Sequence, residues 1–217
     1  MRSTSIAAVA FAALLVPATA HAEKVCGAGR IQDQHMKMTV FAERQDGGPP
    51  GFSWIYAEAN DPDALFSVST SYGLDGEGRL VPQVLTLTAY LALPFDPAAD
   101  SQRISWRTGG EDWSVSHDLF ASRVTSDPAN DRAYVSHTAG RTTGRPENPE
   151  IVGRLPRGVR FELGRLDAEG REQSSGRVDY PAEDVVVELF ERAKAAALAD
   201  LKPCRPPVAL RPSPRAR

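Results

Sequence analysis

Cysteine is nearly absent from this chain: among 217 residues only Cys26 and Cys204 carry a thiol. Two thiols are too few for a cysteine-only metal centre, which takes four. Histidine is also scarce. Beyond His21, the chain has His35, His117 and His137, far apart, with no H-E-x-x-H and no close pair, so no metal motif is present and no metal is expected. No G-x-G-x-x-G follows a strand pattern and no G-x-x-x-x-G-K-[ST] occurs, which removes the usual dinucleotide and nucleotide phosphate cradles. Gly73-Leu74-Asp75-Gly76-Glu77-Gly78 is glycine-rich, but its two acids would repel a phosphate, and it reads as a turn. No G-x-S-x-G elbow is found. Lysine is limited to Lys24, Lys37, Lys194 and Lys202, so the basic charge rests on arginine. After the first 22 residues no apolar run could cross a bilayer.

The apolar run that does exist is at the start. Arg2 gives a positive lead, Ile6 to Val16 is an unbroken run of eleven apolar residues, and Pro17 ends it. Ala20-His21-Ala22 places small residues where a signal peptidase reads. This predicts a secretory signal peptide over residues 1–22, cleavage after Ala22, and a soluble protein in an oxidising compartment, most simply a bacterial periplasm. In such a compartment two cysteines pair, so Cys26 and Cys204 are expected to form a disulfide. A bond closing so long a loop is worth about 4–5 kcal/mol in the chain-entropy treatment. It brackets a single β-rich domain over residues 23–204 and leaves 205–217 as a disordered, basic, proline-rich tail.

Charge is unevenly distributed. The stretch from Lys202 to Arg217 holds Lys202, Arg205, Arg211, Arg215 and Arg217 and no acid. With these and Arg2 set aside, the body carries 19 cations against 28 acids. The tail residues Arg205, Arg211, Arg215 and Arg217 suit weak contact with an anionic surface or with the acidic body itself, over roughly 8 Å at physiological salt. Nothing in the composition points to nucleic acid.

Most of the chain shows strand periodicity. Met36, Met38 and Val40 alternate with Lys37 and Thr39 in what reads as a first strand, and Phe52, Trp54 and Tyr56 share one phase in the next. Phe66, Val68, Thr70 and Tyr72 alternate with Ser67, Ser69 and Ser71. Leu85, Leu87, Ala89 and Leu91 alternate with Thr86, Thr88 and Tyr90. Arg103–Arg107 and Asp112–Ser116 read as a hairpin in which Trp106 and Trp113 can pack together. Ala133–Thr138, Val159–Leu163 and Arg171–Tyr180 follow, with a mobile loop expected over Thr138–Pro149. The period then changes. Pro181, Glu183 and Asp184 open a helix that carries Val186, Leu189, Phe190, Ala193, Ala197 and Leu201 on one side. The expected fold is mainly β: an antiparallel β-sandwich or partly open barrel of about eight or nine strands, with one C-terminal amphipathic helix of about twenty residues.

Candidate chemistry is sparse. Ser114-Val115-Ser116-His117-Asp118 brings hydroxyl, imidazole and carboxylate together in sequence, but neighbours on a strand point to opposite faces, so it is no ready-made triad. Asp33 near His35 and Asp118 after His117 are metal ligands only if the fold gathers them. His137 shares the phase of Val135 and reads as a partly buried imidazole. The 28 acids offer many carboxylate pairs for glycoside cleavage and single out none. An aromatic surface is the better candidate. Stripes at strand spacing ordinarily face the core, but an exposed part would form a platform for carbohydrate, peptide or a partner, and the contact residues named here are Trp54, Tyr56 and Tyr72.

From Leu155 to Cys204 the chain has Leu155-Pro156-Arg157-Gly158, the strand Val159–Leu163, the turn Asp167-Ala168-Glu169-Gly170, a polar strand, and an alanine-rich helix ending near Leu201. This order resembles the C-terminal part of proteobacterial periplasmic β-sandwich proteins of the invasion-associated locus B family. It departs from them in lacking further cysteines and in its longer helix. The resemblance implies a non-enzymatic envelope protein with no catalytic residues to carry over. The expected function is therefore a periplasmic binding or accessory protein of the cell envelope, with no cofactor, acting on an envelope protein or polymer. The alternatives are a hydrolase of envelope polymers, marked by two facing carboxylates in a cleft, and an inhibitor or assembly partner acting through an edge strand or the basic tail.

Overall fold

The computed structural model describes residues 24–34, 36–61, 66–92, 103–109, 117–118, 124–127, 132–166, 169 and 171–204. The predicted leader, the basic tail, His35, Trp113 and Ser114–Ser116 lie outside the described residues.

The fold is mainly β, open rather than closed, and built on two antiparallel sheets. In chain order the strands are β1 (Lys24–Gln32), β2 (Lys37–Gln45), β3 (Gly51–Asp61), β4 (Phe66–Leu74), β5 (Leu80–Ala92), β6 (Arg103–Thr108), β7 (His117–Asp118), β8 (Val124–Asp127), β9 (Arg132–Arg141), β10 (Val159–Leu166), β11 (Glu172–Tyr180) and β12 (Lys202–Pro203). A short helix α1 (Pro149–Val152) precedes β10, and α2 (Glu183–Ala199) lies between β11 and β12. The larger sheet runs β12-β1-β2-β3-β4-β5-β9-β8, the smaller β11-β10-β6-β7.

One core joins these parts. The larger sheet turns Met38, Val40, Ile55, Ala57, Phe66, Val68, Leu85, Leu87 and Val135 inward. Trp106, Phe161, Val178 and Tyr180 come down from the smaller sheet, and Val186, Leu189, Phe190, Ala193 and Ala197 from α2. The helix therefore buries the apolar side that its sequence period marks. It covers the β1–β2 end of the sheet, while β11 lies against β3 and β4.

Two features were hidden from the pattern of apolar residues. β1 precedes the strand read as first, and its core-facing positions are Gly27 and Gly29. A methyl at either would run into the backbone carbonyl of Ala197 or Ala193 on α2. Close approach of the helix replaces the usual valine or isoleucine with glycine and erases the strand signal. The segment expected to be a mobile loop is instead ordered: β9 continues to Arg141, Arg141 and Glu147 exchange backbone hydrogen bonds at 2.6 and 3.0 Å, and Asn148 donates to the Ala139 carbonyl at 3.1 Å.

Cys26 and Cys204 form the expected disulfide, with Cα atoms 5.0 Å apart. It joins the start of β1 to the chain leaving α2. Next to it, Val25 pairs with Pro203 and Cys26 with Lys202. Among the described residues no helix is long and apolar enough to cross a membrane.

Candidate functional site

The aromatic residues of β3 do not share a face. Thr39 pairs with Tyr56 but Phe41 with Ser53, two steps along β2 against three along β3. One residue of β3 is thus extra, a β-bulge, and side chains change face across it. Phe52, before the bulge, packs beside the core under α2, with the Lys194 ammonium 5.7 Å from its ring centre. Ile55, after it, is buried. Trp54, at the bulge, is thrown outward. Its indole stacks on Phe41 at 5.2 Å and 14°, and Tyr56 lies 6.5 Å beyond.

Trp54 has a φ of 49°, the left-handed region. For a non-glycine residue that conformation costs about 1–2 kcal/mol. Among the described residues the other two of this kind, Asp46 and Asn148, are types that tolerate it at turns. Trp54 is bulky, and 67% of its surface is exposed. Backbone strain is thus stored to hold a large apolar ring in water.

Beyond Tyr56 the outer face of the large sheet is paved with hydroxyls. The register sets Glu58, Ser69, Thr86 and Thr138 in one row, and Asn60, Ser67, Thr88 and Ser136 in the next. The Thr88 and Ser136 hydroxyls lie 3.0 Å apart, and Ser69 donates to the Thr86 carbonyl at 3.4 Å. Ser67 and Ser69 form a sunken floor, 3% and 6% exposed. One row further, Tyr90 and Tyr134 face each other across β5 and β9 with ring centres 6.3 Å apart, and Tyr90 is 36% exposed. Partial burial raises the Tyr56 phenol pKa, the Ser69 hydroxyl pulls it down, and Glu58 and Tyr90 add to the rise. Tyr56 and Tyr90 are therefore within electrostatic reach of each other over this floor.

Of the three named contact residues, Trp54 and Tyr56 come together and Tyr72 does not. Tyr72 lies on the core face, where its hydroxyl hydrogen-bonds the Tyr180 hydroxyl at 2.8 Å. Burial drives its pKa well up, and that of Tyr180 to about 12. Beside Tyr72, Leu80, Pro82, Leu155 and Val186 line a cavity of about 40 Å³, space for a few waters and no more. Phe41, Tyr90 and Tyr134 escaped the sequence reading, although the alternation of Thr86, Thr88 and Tyr90 already placed that tyrosine opposite Leu85 and Leu87.

The other candidates fall elsewhere. His137 packs against Trp106 between the sheets, ring centres 6.4 Å apart. His117, in β7, pairs through its backbone with Trp106 of β6, and its side chain lies outside the described residues. The Asp33 carboxylate accepts the Met36 amide at 3.0 Å, closing a turn. Asp75 accepts the amides of Glu77 and Arg79, both at 2.9 Å, which makes Gly73–Gly78 the hairpin turn its composition suggests. Among the described residues no three of histidine, cysteine, aspartate and glutamate gather as a metal site would require.

The fold and this face define a class: an open two-sheet β protein closed by a C-terminal helix and a disulfide, with an aromatic and hydroxyl-lined outer surface. Comparison with protein families, with curated proteins and with solved structures finds no match to this chain.

Proposed function

We propose that this chain is a non-enzymatic binding module of the cell envelope, exported and soluble, and that it binds through the outer face around Trp54. The observation that carries the reading is Trp54 itself: a strained backbone, a β-bulge and a stacked partner, Phe41, together present one indole to solvent. Strain of this kind persists where function uses it. The apolar leader pattern and the disulfide agree with an envelope setting. So does the likeness of Leu155–Cys204 to the invasion-associated locus B family.

The test is cosedimentation of the purified mature protein with isolated envelope fragments, wild type against Trp54→Ala. Retention should be saturable, and the substitution should weaken it about tenfold, the order of one stacked aromatic contact. Equal retention of the two proteins, both melting cooperatively, would overturn the reading.

A further inference from the structure

The chemistry of this face narrows what can lie on it. Resting on the binding-module reading above, we infer that the ligand is a neutral, linear glycan laid diagonally across the outer face from Trp54 to Tyr90. Three properties select it.

The first is charge. Ser67 and Ser69 on β4, Thr86 and Thr88 on β5, and Ser136 and Thr138 on β9 form a hydroxyl patch three strands wide, bordered by one acid, Glu58 on β3, and one base, Arg141 on β9, so that no cluster of like charge lies on it. A nucleic acid or other polyanion requires clustered arginine and lysine. The second is polarity. A protein interface of standard kind centres on packed apolar and aromatic anchors, whereas the floor here is built of hydroxyls. Hydroxyl groups donate and accept, as sugar hydroxyls do. The third is the placing of the rings. Tyr56 stands opposite Ser71, and Ser71 opposite Val84, six residues before Tyr90 on β5. The backbones of Tyr56 and Tyr90 are thus about 20 Å apart along the strands and about 10 Å across them, while their phenols come near enough over the floor to interact electrostatically. Trp54, Phe41 and Tyr56 mark one end, Tyr90 and Tyr134 the other. Pyranose rings present an apolar C–H face that stacks on an aromatic ring, with hydroxyls around their edge. A chain of several linked rings spans this track, laying its faces on the aromatics and its edges on the serine and threonine floor.

The length of the track gives the test its discrimination. The probes are the β-1,4-linked hexamer and dimer of N-acetylglucosamine, titrated by calorimetry and by the change in tryptophan emission that Trp54→Ala removes. The hexamer should bind and the dimer should bind at least tenfold more weakly, being too short to reach both ends. Tyr90→Ala, remote from the indole, should weaken the hexamer about tenfold and leave the dimer nearly unchanged, while Trp54→Ala should weaken both. Thermal melts establish that each variant is folded. If envelope retention depends on Trp54 yet the hexamer neither binds nor competes, the glycan is wrong and the binding face stands. If the hexamer binds with equal affinity to wild type and Tyr90→Ala, the track is wrong. If envelope retention is indifferent to Trp54, the binding-module reading fails with it.

Discussion

At the residue scale, the deciding positions are those where ordinary preference is overridden. Gly27 and Gly29 stand where a strand would bury valine, because the backbone of α2 leaves no room for a Cβ. Gly29→Ala should therefore cost about 1–3 kcal/mol, the usual penalty for overpacking a site that cannot relax cheaply. Gly51→Ala is the control, since its added methyl would meet nothing closer than 3.8 Å. Urea denaturation of the two variants reads this directly. Equal midpoints would mean that α2 shifts freely off β1 and that the glycines are incidental. Trp54 is the converse case: its side chain is legible in the sequence as an aromatic, but nothing local announces that its backbone turns left-handed. Period two read straight through it puts Phe52, Trp54 and Tyr56 on one face, and the bulge separates Phe52 from the other two. A single inserted residue reverses every side chain beyond it.

At the element scale, legibility follows burial. α2 could be read because Val186, Leu189, Phe190, Ala193 and Ala197 pack against a sheet, and packing imposes a 3.6-residue period. β4 and β5 could be read because their inner residues are apolar and their outer ones hydroxylic. The functional content of that outer row could not, since serine and threonine alternate in the same way on any solvated sheet. The hydroxyl pair that joins the two sheets was equally hidden: Tyr72 on β4 could be read as sharing the face of Phe66 and Val68, but nothing in the sequence pairs it with Tyr180, 108 residues away. Both phenols have pKa values above the ordinary 10.0, Tyr180 at about 12, because burial disfavours the phenolate. A phenol held neutral in the fold contributes stability below its unfolded pKa and loses it as pH rises through the folded one. Stability should fall between about pH 10 and pH 12. In Tyr72→Phe/Tyr180→Phe that alkaline fall should be shallower, with little cost at pH 7, because both partners leave together. Tyr180→Phe alone should cost about 1–3 kcal/mol at pH 7 by stranding the Tyr72 hydroxyl. Urea midpoints across the pH series settle it: parallel curves for wild type and the double variant would show that the pair does not govern the alkaline limb.

At the scale of the whole molecule, the disulfide and α2 act on the same problem. The large sheet would end at β1 with an open edge and an uncovered glycine face. β12 pairs only two residues of that edge, Val25 and Cys26, and α2 covers the face, while Cys26–Cys204 holds the end of the helix to the start of the strand. The sequence makes this closure legible because only two cysteines exist and they stand at opposite ends of the periodic region. Cross-linking residues 178 apart restricts the unfolded chain more than it adds contact to the folded one, so its contribution should be near 4–5 kcal/mol. With a urea dependence of about 2 kcal/mol per molar, Cys26→Ser/Cys204→Ser should lower the denaturation midpoint by about 2 M. The folded sheet should survive, because the core joining α2 to β1 and β2 does not include the sulfurs. Glycan and envelope binding by the folded double variant should likewise persist, since Trp54 and Tyr90 stand on β3 and β5, inside the sheet and away from its β1 edge. A midpoint unchanged by reduction would place the closure in the β1–α2 packing alone. Loss of binding with the fold intact would instead make the staple part of the binding face, and would move the site from the middle of the sheet toward its edge.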